Sequence, residues 1–253
     1  DVDAAILFSD ILLPLDPLGI PFDFQAGEGP VIERPLRSRA DIDRLRPFEP
    51  REALDKPLEA IRLLRGALQV PLIGFAGAPF TLASYAIEGG HSSQFALTKR
   101  LMYEDPASWH VLAALLGKVV GEYLAAQIEA GAQAVQLFDS WVGALDEGDY
   151  REFVLPHTKA VFDRVRGTGV PTIHFGTGTG HLLAAQREAG GDVIGVDWRT
   201  PLDTGWSLVP GSAVQGNLDP TTLFAPRERL LARVDDVLRR AGIDRARGLI
   251  AVV

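Results

Sequence analysis

The chain has 253 residues, 47% of them hydrophobic, and its 25 Lys and Arg stand against 33 Asp and Glu for a formal net charge of −8. That length holds a sizeable core, and the acidic balance speaks against nucleic acid or an anionic membrane as a partner. Cysteine is absent, which excludes disulfides, zinc–thiolate sites, iron–sulfur clusters and thiol nucleophiles and leaves the chemistry to oxygen and nitrogen groups.

The start, Asp1-Val2-Asp3, lacks the basic and apolar regions of a secretory signal, and no run of about 18 consecutive apolar residues follows, so a cytoplasmic protein is expected. A chain that opens on Asp and at once enters Ala4-Ala5-Ile6-Leu7-Phe8 is expected to lack residues at its N-terminus. That run, residues 4 to 8, reads as a first strand. A Pro- and charge-rich stretch from 27 to 56 reads as a surface excursion, and 54 to 68 as a helix. Residues 70 to 75 form the next strand. Asp105-Pro106 opens a helix with Leu112, Leu115, Leu116, Val119, Val120, Tyr123 and Leu124 at helical spacing, and Gly131 stops it. Then come a strand at 134 to 138, a helix at 148 to 166, a strand at 170 to 175, a helix at 181 to 189, and strands at 193 to 197 and 213 to 217. A helix over 227 to 241 and a strand at 248 to 253 complete the reading.

The seven strands are near-continuous apolar runs instead of alternating ones, the habit of strands covered on both faces in parallel sheets. Alternation of strand and helix over about 250 residues points to an α/β fold, a single-domain (β/α)8 barrel of the TIM type whose first strand precedes this chain. A doubly wound open sheet is the competing architecture.

In such a barrel the chemistry sits just past the C-terminal strand ends. Those positions hold Ser9 and Asp10, Gly77 to Pro79, Asp139 and Ser140, His174 to Gly178, Asp197 and Trp198, and Asn217 to Asp219. Each of Asp10, Asp139 and Asp197 either caps the following helix or serves the site. Asp10, in LFSDILL with no Lys or Arg nearby, is the best functional candidate. His174 lies late in a strand that should face the barrel interior or mouth, as a core histidine or as an active-site group. His110 and His157 fall within helices and read as structural, and no histidine pair has zinc spacing. The loop His174-Phe175-Gly176-Thr177-Gly178-Thr179-Gly180 with Asp197 downstream is similar to the cofactor loop of S-adenosylmethionine-dependent methyltransferases, although such a loop normally opens a sheet.

The segment GFAGAPFTLASYAIEGG, residues 74 to 90, is more particular. It resembles a signature of the uroporphyrinogen decarboxylase family, and AAILFSDILLPLDPLGI, GEGPVIERPLRS, AVQLFDSWVGAL, VIGVDWRTPLDTGW and AVQGNLDPTTLFAP are similar to further parts of it. The resemblance implies a β/α barrel, a homodimer, and removal of the four acetate carboxyls of uroporphyrinogen to give coproporphyrinogen, without cofactor or metal. It implies that Asp10 meets the pyrrole N–H groups, that Tyr85 and Ser140 hold substrate carboxylates, and that Phe138 is an apolar wall. The family's arginine-rich and Gly-His-Gly segments have no counterpart in these residues, so the chain is expected to be incomplete at both ends. The alternatives are a methyltransferase using Gly176 to Gly180 and Asp197, and a barrel that binds tetrapyrroles without turning them over. Cobamide-linked methyltransferases with a His-x-Cys zinc site are set aside, because Gly176 stands where the cysteine is needed.

Overall fold

A computed structural model describes residues 2 to 27 and 29 to 242. Six strands build the main sheet: β1 (Ala5–Ile6), β4 (Leu72–Gly77), β5 (Ala134–Asp139), β6 (Thr172–Gly176), β7 (Val193–Gly195) and β8 (Ala213–Gln215). Their spatial order is β1-β4-β5-β6-β7-β8, and every pairing is parallel. Order in space therefore follows order in sequence. A doubly wound sheet reverses its strand order at a switch point, and this one does not. Crossovers of one hand and one direction put the helices on one face, so the sheet curls as a β/α barrel does.

The curl is measurable. Strands β5 and β8 are separated by β6 and β7, about 14 Å across a flat sheet. Yet Gln215 Nε2 donates to Gln136 Oε1 at 3.3 Å across the concave face. Among the described residues the barrel does not close, and β1 and β8 form its two edges.

Strand alternation divides the side chains between two faces. Leu72, Ala76, Val135 and Leu137 turn outward into the main core, whereas Phe75, Gln136, Phe138 and Phe175 turn inward. The outer layer is led by helix Pro106–Ala130, in which Leu112, Leu116, Val120 and Leu124 are buried. Its apolar length would suffice to cross a membrane, and two thirds of it is packed inside this fold. Asp105 caps it by accepting from Ser108 N, and Gly131 ends it at φ +115°. Near its end Gln127 takes both backbone groups of Phe75, N–H and C=O each at 2.8 Å, on the edge that short β1 no longer covers. A side chain at Gly74 would collide with that amide, which explains the glycine.

Several boundaries and elements differ from the sequence reading. The expected 148 to 166 helix is interrupted by a π turn at Tyr150–Val154, before Leu155–Val165, where Pro156 supplies no N–H. Helices Pro79–Glu88 and Ala96–Glu104 were not foreseen, nor was a hairpin of β2 (Phe22–Gln25) and β3 (Gly29–Ile32). The stretch 27 to 56 is no mere surface excursion: Ile32, Leu36, Ile42, Leu45 and Leu54 are buried in the core. The strand expected at 248 to 253 lies outside the described residues.

His174 corrects a further expectation. It is on β6 but alternation points it outward, against Phe162, with Nδ1 at 3.2 Å from the carbonyls of both Gln186 and Gly190. It is a core histidine, held neutral by burial, which pushes its pKa down to about 4.

Candidate active site

The C-terminal ends of β1, β4, β5 and β6 surround one end of the concave face. Leaving β1, the chain keeps alternating: Ala5 and Leu7 pack on the core and Ser9 hydrogen-bonds Tyr123, while Ile6 and Phe8 stay exposed. Asp10 shares the parity of Phe8. Its Oδ1 accepts from Leu12 N at 2.7 Å, a local turn that fixes the carboxylate at the head of the loop.

Tyr85 arrives from the other side. Pro79 starts helix Pro79–Glu88 directly after β4, and Gly89 ends it in the left-handed region at φ +94°. The Ile32 N–H binds Gly89 O at 2.8 Å, so the β2–β3 hairpin braces the end of this helix. The Tyr85 ring is half-buried and stacks on Trp141, with centroids 3.9 Å apart. Burial, and next the nearby Asp10 charge, push its hydroxyl pKa up. The phenol therefore stays protonated and remains a hydrogen-bond donor.

Phe138 stands between two further rings. Phe8, Phe75, Phe138 and Phe175 form a ladder across four adjacent strands or strand ends, with successive centroid separations of 6.3, 5.4 and 5.7 Å. The last two contacts are edge-on, the favoured arrangement for aromatic pairs. Ser140, half-buried, follows β5 between Phe138 and Trp141, and its carbonyl accepts from the Thr177 hydroxyl.

All four sequence candidates thus meet at one place. Ser140 and Phe138 share the end of β5, Trp141 joins them to Tyr85, Tyr85 is near enough to Asp10 to feel its charge, and Phe8 and Phe75 continue the ladder from Phe138. The sequence reading missed Phe8, Phe75, Phe175 and Trp141. A signal was available: Phe75, Phe138 and Phe175 each occupy the inward parity near the end of an apolar strand.

Asp197 and the glycine loop do something else. Asp197 Oδ2 accepts from Gly178 N at 2.5 Å and from the Arg199 guanidinium at 2.6 Å, and Oδ1 accepts from Arg199 N at 3.1 Å. The carboxylate is spent on tying the β6 and β7 loops together. The glycines allow close packing: a side chain at Gly180 would strike Thr200, and one at Gly176 would strike Thr179.

A sequentially ordered parallel sheet, with a ladder of aromatic rings, a carboxylate and a phenol at its C-terminal strand ends, is the arrangement in which β/α-barrel enzymes place their sites. The chain belongs to the uroporphyrinogen decarboxylase family, whose model matches residues 1 to 253. It is 60% identical over 244 residues to the uroporphyrinogen decarboxylase of Sorangium cellulosum, covering 95% of this chain and 70% of that protein. With that of Carboxydothermus hydrogenoformans the identity is 54% over 244 residues, at the same coverage. Among solved structures, a methyltransferase from Methanosarcina mazei superposes with a TM-score of 0.80 at 18% identity, covering 95% of this chain and 72% of that one. That likeness concerns the fold.

Proposed function

We propose that this chain decarboxylates uroporphyrinogen in haem biosynthesis, turning the four acetate side chains into methyl groups. Family membership over the whole chain, with relatives of 53 to 60% identity bearing that name, carries the reading. The aromatic ladder and the Tyr85–Trp141 stack at the strand ends that carry Asp10 and Ser140 support it.

Each turnover replaces a carboxylate by hydrogen, consuming one proton and releasing one CO2. Protonation of the pyrrole carbon that bears the acetate makes the ring cationic. The electrons of the breaking C–C bond then flow into the macrocycle, and a proton added to the resulting methylene with loss of the ring proton leaves a methyl group. The ring itself is the electron sink. What the protein must add is a fixed negative charge near the pyrrole nitrogens, where positive charge develops. Asp10 takes that role. Tyr85 and Ser140 donate hydrogen bonds to substrate carboxylates, and Phe138, with the rings beside it, forms the apolar wall that excludes water and strengthens the Asp10 interaction.

Asp197 is already engaged by Gly178 N and by the backbone and guanidinium of Arg199, which argues against the methyltransferase reading. The decarboxylase reading keeps the expectation of a cytoplasmic homodimer; size-exclusion chromatography with light scattering tests the dimer. Anaerobic incubation with uroporphyrinogen, followed by chromatography of the oxidised products, tests the reaction. Products with seven, six, five and four carboxyls are expected. Binding without products means a tetrapyrrole-binding barrel instead.

A further inference from the structure

Behind the aromatic ladder lies a buried carboxyl that the reaction does not touch. Asp139 ends β5 one residue before Ser140, and alternation turns it away from Phe138 into the layer between sheet and helices, where it is 0% exposed. The Thr81 hydroxyl donates to Asp139 Oδ1 at 3.1 Å and accepts from Trp141 N at 3.4 Å. A hydroxyl has one proton, so giving it to Asp139 leaves the Thr81 lone pairs for the Trp141 amide. Trp141 is the residue that stacks on Tyr85, and Thr81 precedes Tyr85 by one helical turn. One buried oxygen thereby ties the Trp141 backbone to the helix that carries Tyr85.

We propose that Asp139 is a positioning residue: through Thr81 it fixes the Trp141 backbone, and with it the aromatic stack that holds Tyr85. The proposal rests on the decarboxylase reading above.

The surroundings fit a group kept to orient others. Helix Pro79–Glu88 meets Asp139 with Thr81, β6 sets Gly176 opposite it, and the π turn brings Tyr150. Tyr150 is the titratable neighbour; its buried hydroxyl and Asp139 Oδ2 have no partner among the described residues. Burial, and after it the Asp139 charge, push the Tyr150 hydroxyl well above its ordinary pKa, so it stays neutral. His174, two residues before Gly176 on β6, is turned to Phe162 and neutral. Burial pushes Asp139 itself up to about 7, opposed only in part by the Thr81 hydrogen bond. Neutral acid and isosteric amide alike keep an oxygen that accepts from Thr81.

The test measures kcat and KM for uroporphyrinogen from about pH 6 to 8, with near-ultraviolet circular dichroism of the same samples. It compares wild type, Asp139→Asn, Asp139→Leu and Thr81→Val, with Trp141→Phe marking the signal of the stack. Asp139→Asn should keep near-wild-type kinetics and respond less to pH across neutrality. Asp139→Leu and Thr81→Val should lower kcat/KM on the order of tenfold, chiefly through KM, and weaken the stack signal. Thr81→Val serves if Asp139→Leu does not fold. A folded Thr81→Val with wild-type constants and spectrum overturns the proposal, as does a loss in Asp139→Asn equal to that in Asp139→Leu. If the wild type forms no products, the reaction reading falls. The spectrum of Thr81→Val then still decides whether these bonds position the stack.

Discussion

Gln136 and Gln215 join side chains across the concave face, 3.3 Å apart, although two strands separate theirs. Both are nearly fully buried, so each amide depends on the other for that hydrogen bond. Replacing one by Leu strands a buried polar group and should cost about 1 to 3 kcal/mol, whereas Gln136→Leu with Gln215→Leu should cost less than the sum of the two. Urea unfolding of the four proteins of this cycle measures the coupling. Additive losses would mean that the bond does not hold the curl.

Asp10→Ala should lose about 3 to 4 kcal/mol of transition-state stabilisation, or roughly 10²- to 10³-fold in rate, by analogy with removal of one preorganised group from other sites. Because Asp10 also accepts from Leu12 N, Asp10→Asn is the better control. Its amide oxygen can keep the turn while the charge is lost. Comparing the two by single-turnover decarboxylation separates charge from loop geometry.

Tyr85→Phe removes the hydroxyl and keeps the stack on Trp141, so a smaller loss is expected, about tenfold in kcat/KM. Phe138→Ala opens the ladder between Phe75 and Phe175 and should raise KM while costing about 3 kcal/mol of stability or more. Steady-state kinetics beside thermal melts distinguishes the two. Equal effects of both variants on KM would contradict the assignment of polar and apolar roles.

Asp139 should make stability fall as pH rises. Its folded pKa of about 7 lies above the ordinary carboxyl value of 3.8, so the folded state holds the proton more tightly. The penalty is absent below about pH 4 and grows to on the order of 4 kcal/mol by pH 7 to 8. Asp139→Asn cannot ionise. The difference in unfolding free energy between variant and wild type should therefore rise in the variant's favour across that window, and a flat difference would place the carboxyl's pKa near its ordinary value.

The histidines act in the opposite sense. His174, pushed down to about 4 by burial, contributes stability that is complete above its ordinary 6.5 and lost as pH falls towards 4, by about 3 kcal/mol. His157 shifts the same way, to about 4, through burial and the neighbouring His110 at 2.9 Å. In the Asp139→Asn background, acid unfolding should steepen between about pH 6.5 and 4, and His174→Gln should flatten it. An unchanged slope would mean that His174 titrates near its ordinary value.

The sequence by itself determined the alternation of strand and helix along the main sheet. Apolar runs and stop signals placed β4, β5, β6 and helix Pro106–Ala130 within about two residues, because burial and capping are local demands of the chain. Asp10, Tyr85, Phe138 and Ser140 stood out as candidates through the resemblance carried by residues 74 to 90 and the strand ends. The tertiary structure alone decided which strand-end groups share a cleft. His174 and Asp139 look like candidates in sequence, yet each has the outward parity, while Phe75 and Phe175 beside Phe138 have the inward one. The hairpin of β2 and β3 escaped notice because Phe22 and Phe24 read as ordinary loop residues until Ile32 docks on Gly89. Sequential parallel pairing and the curl that brings Gln136 to Gln215 are likewise non-local. They follow from the packing of helices on one face, which no single segment specifies.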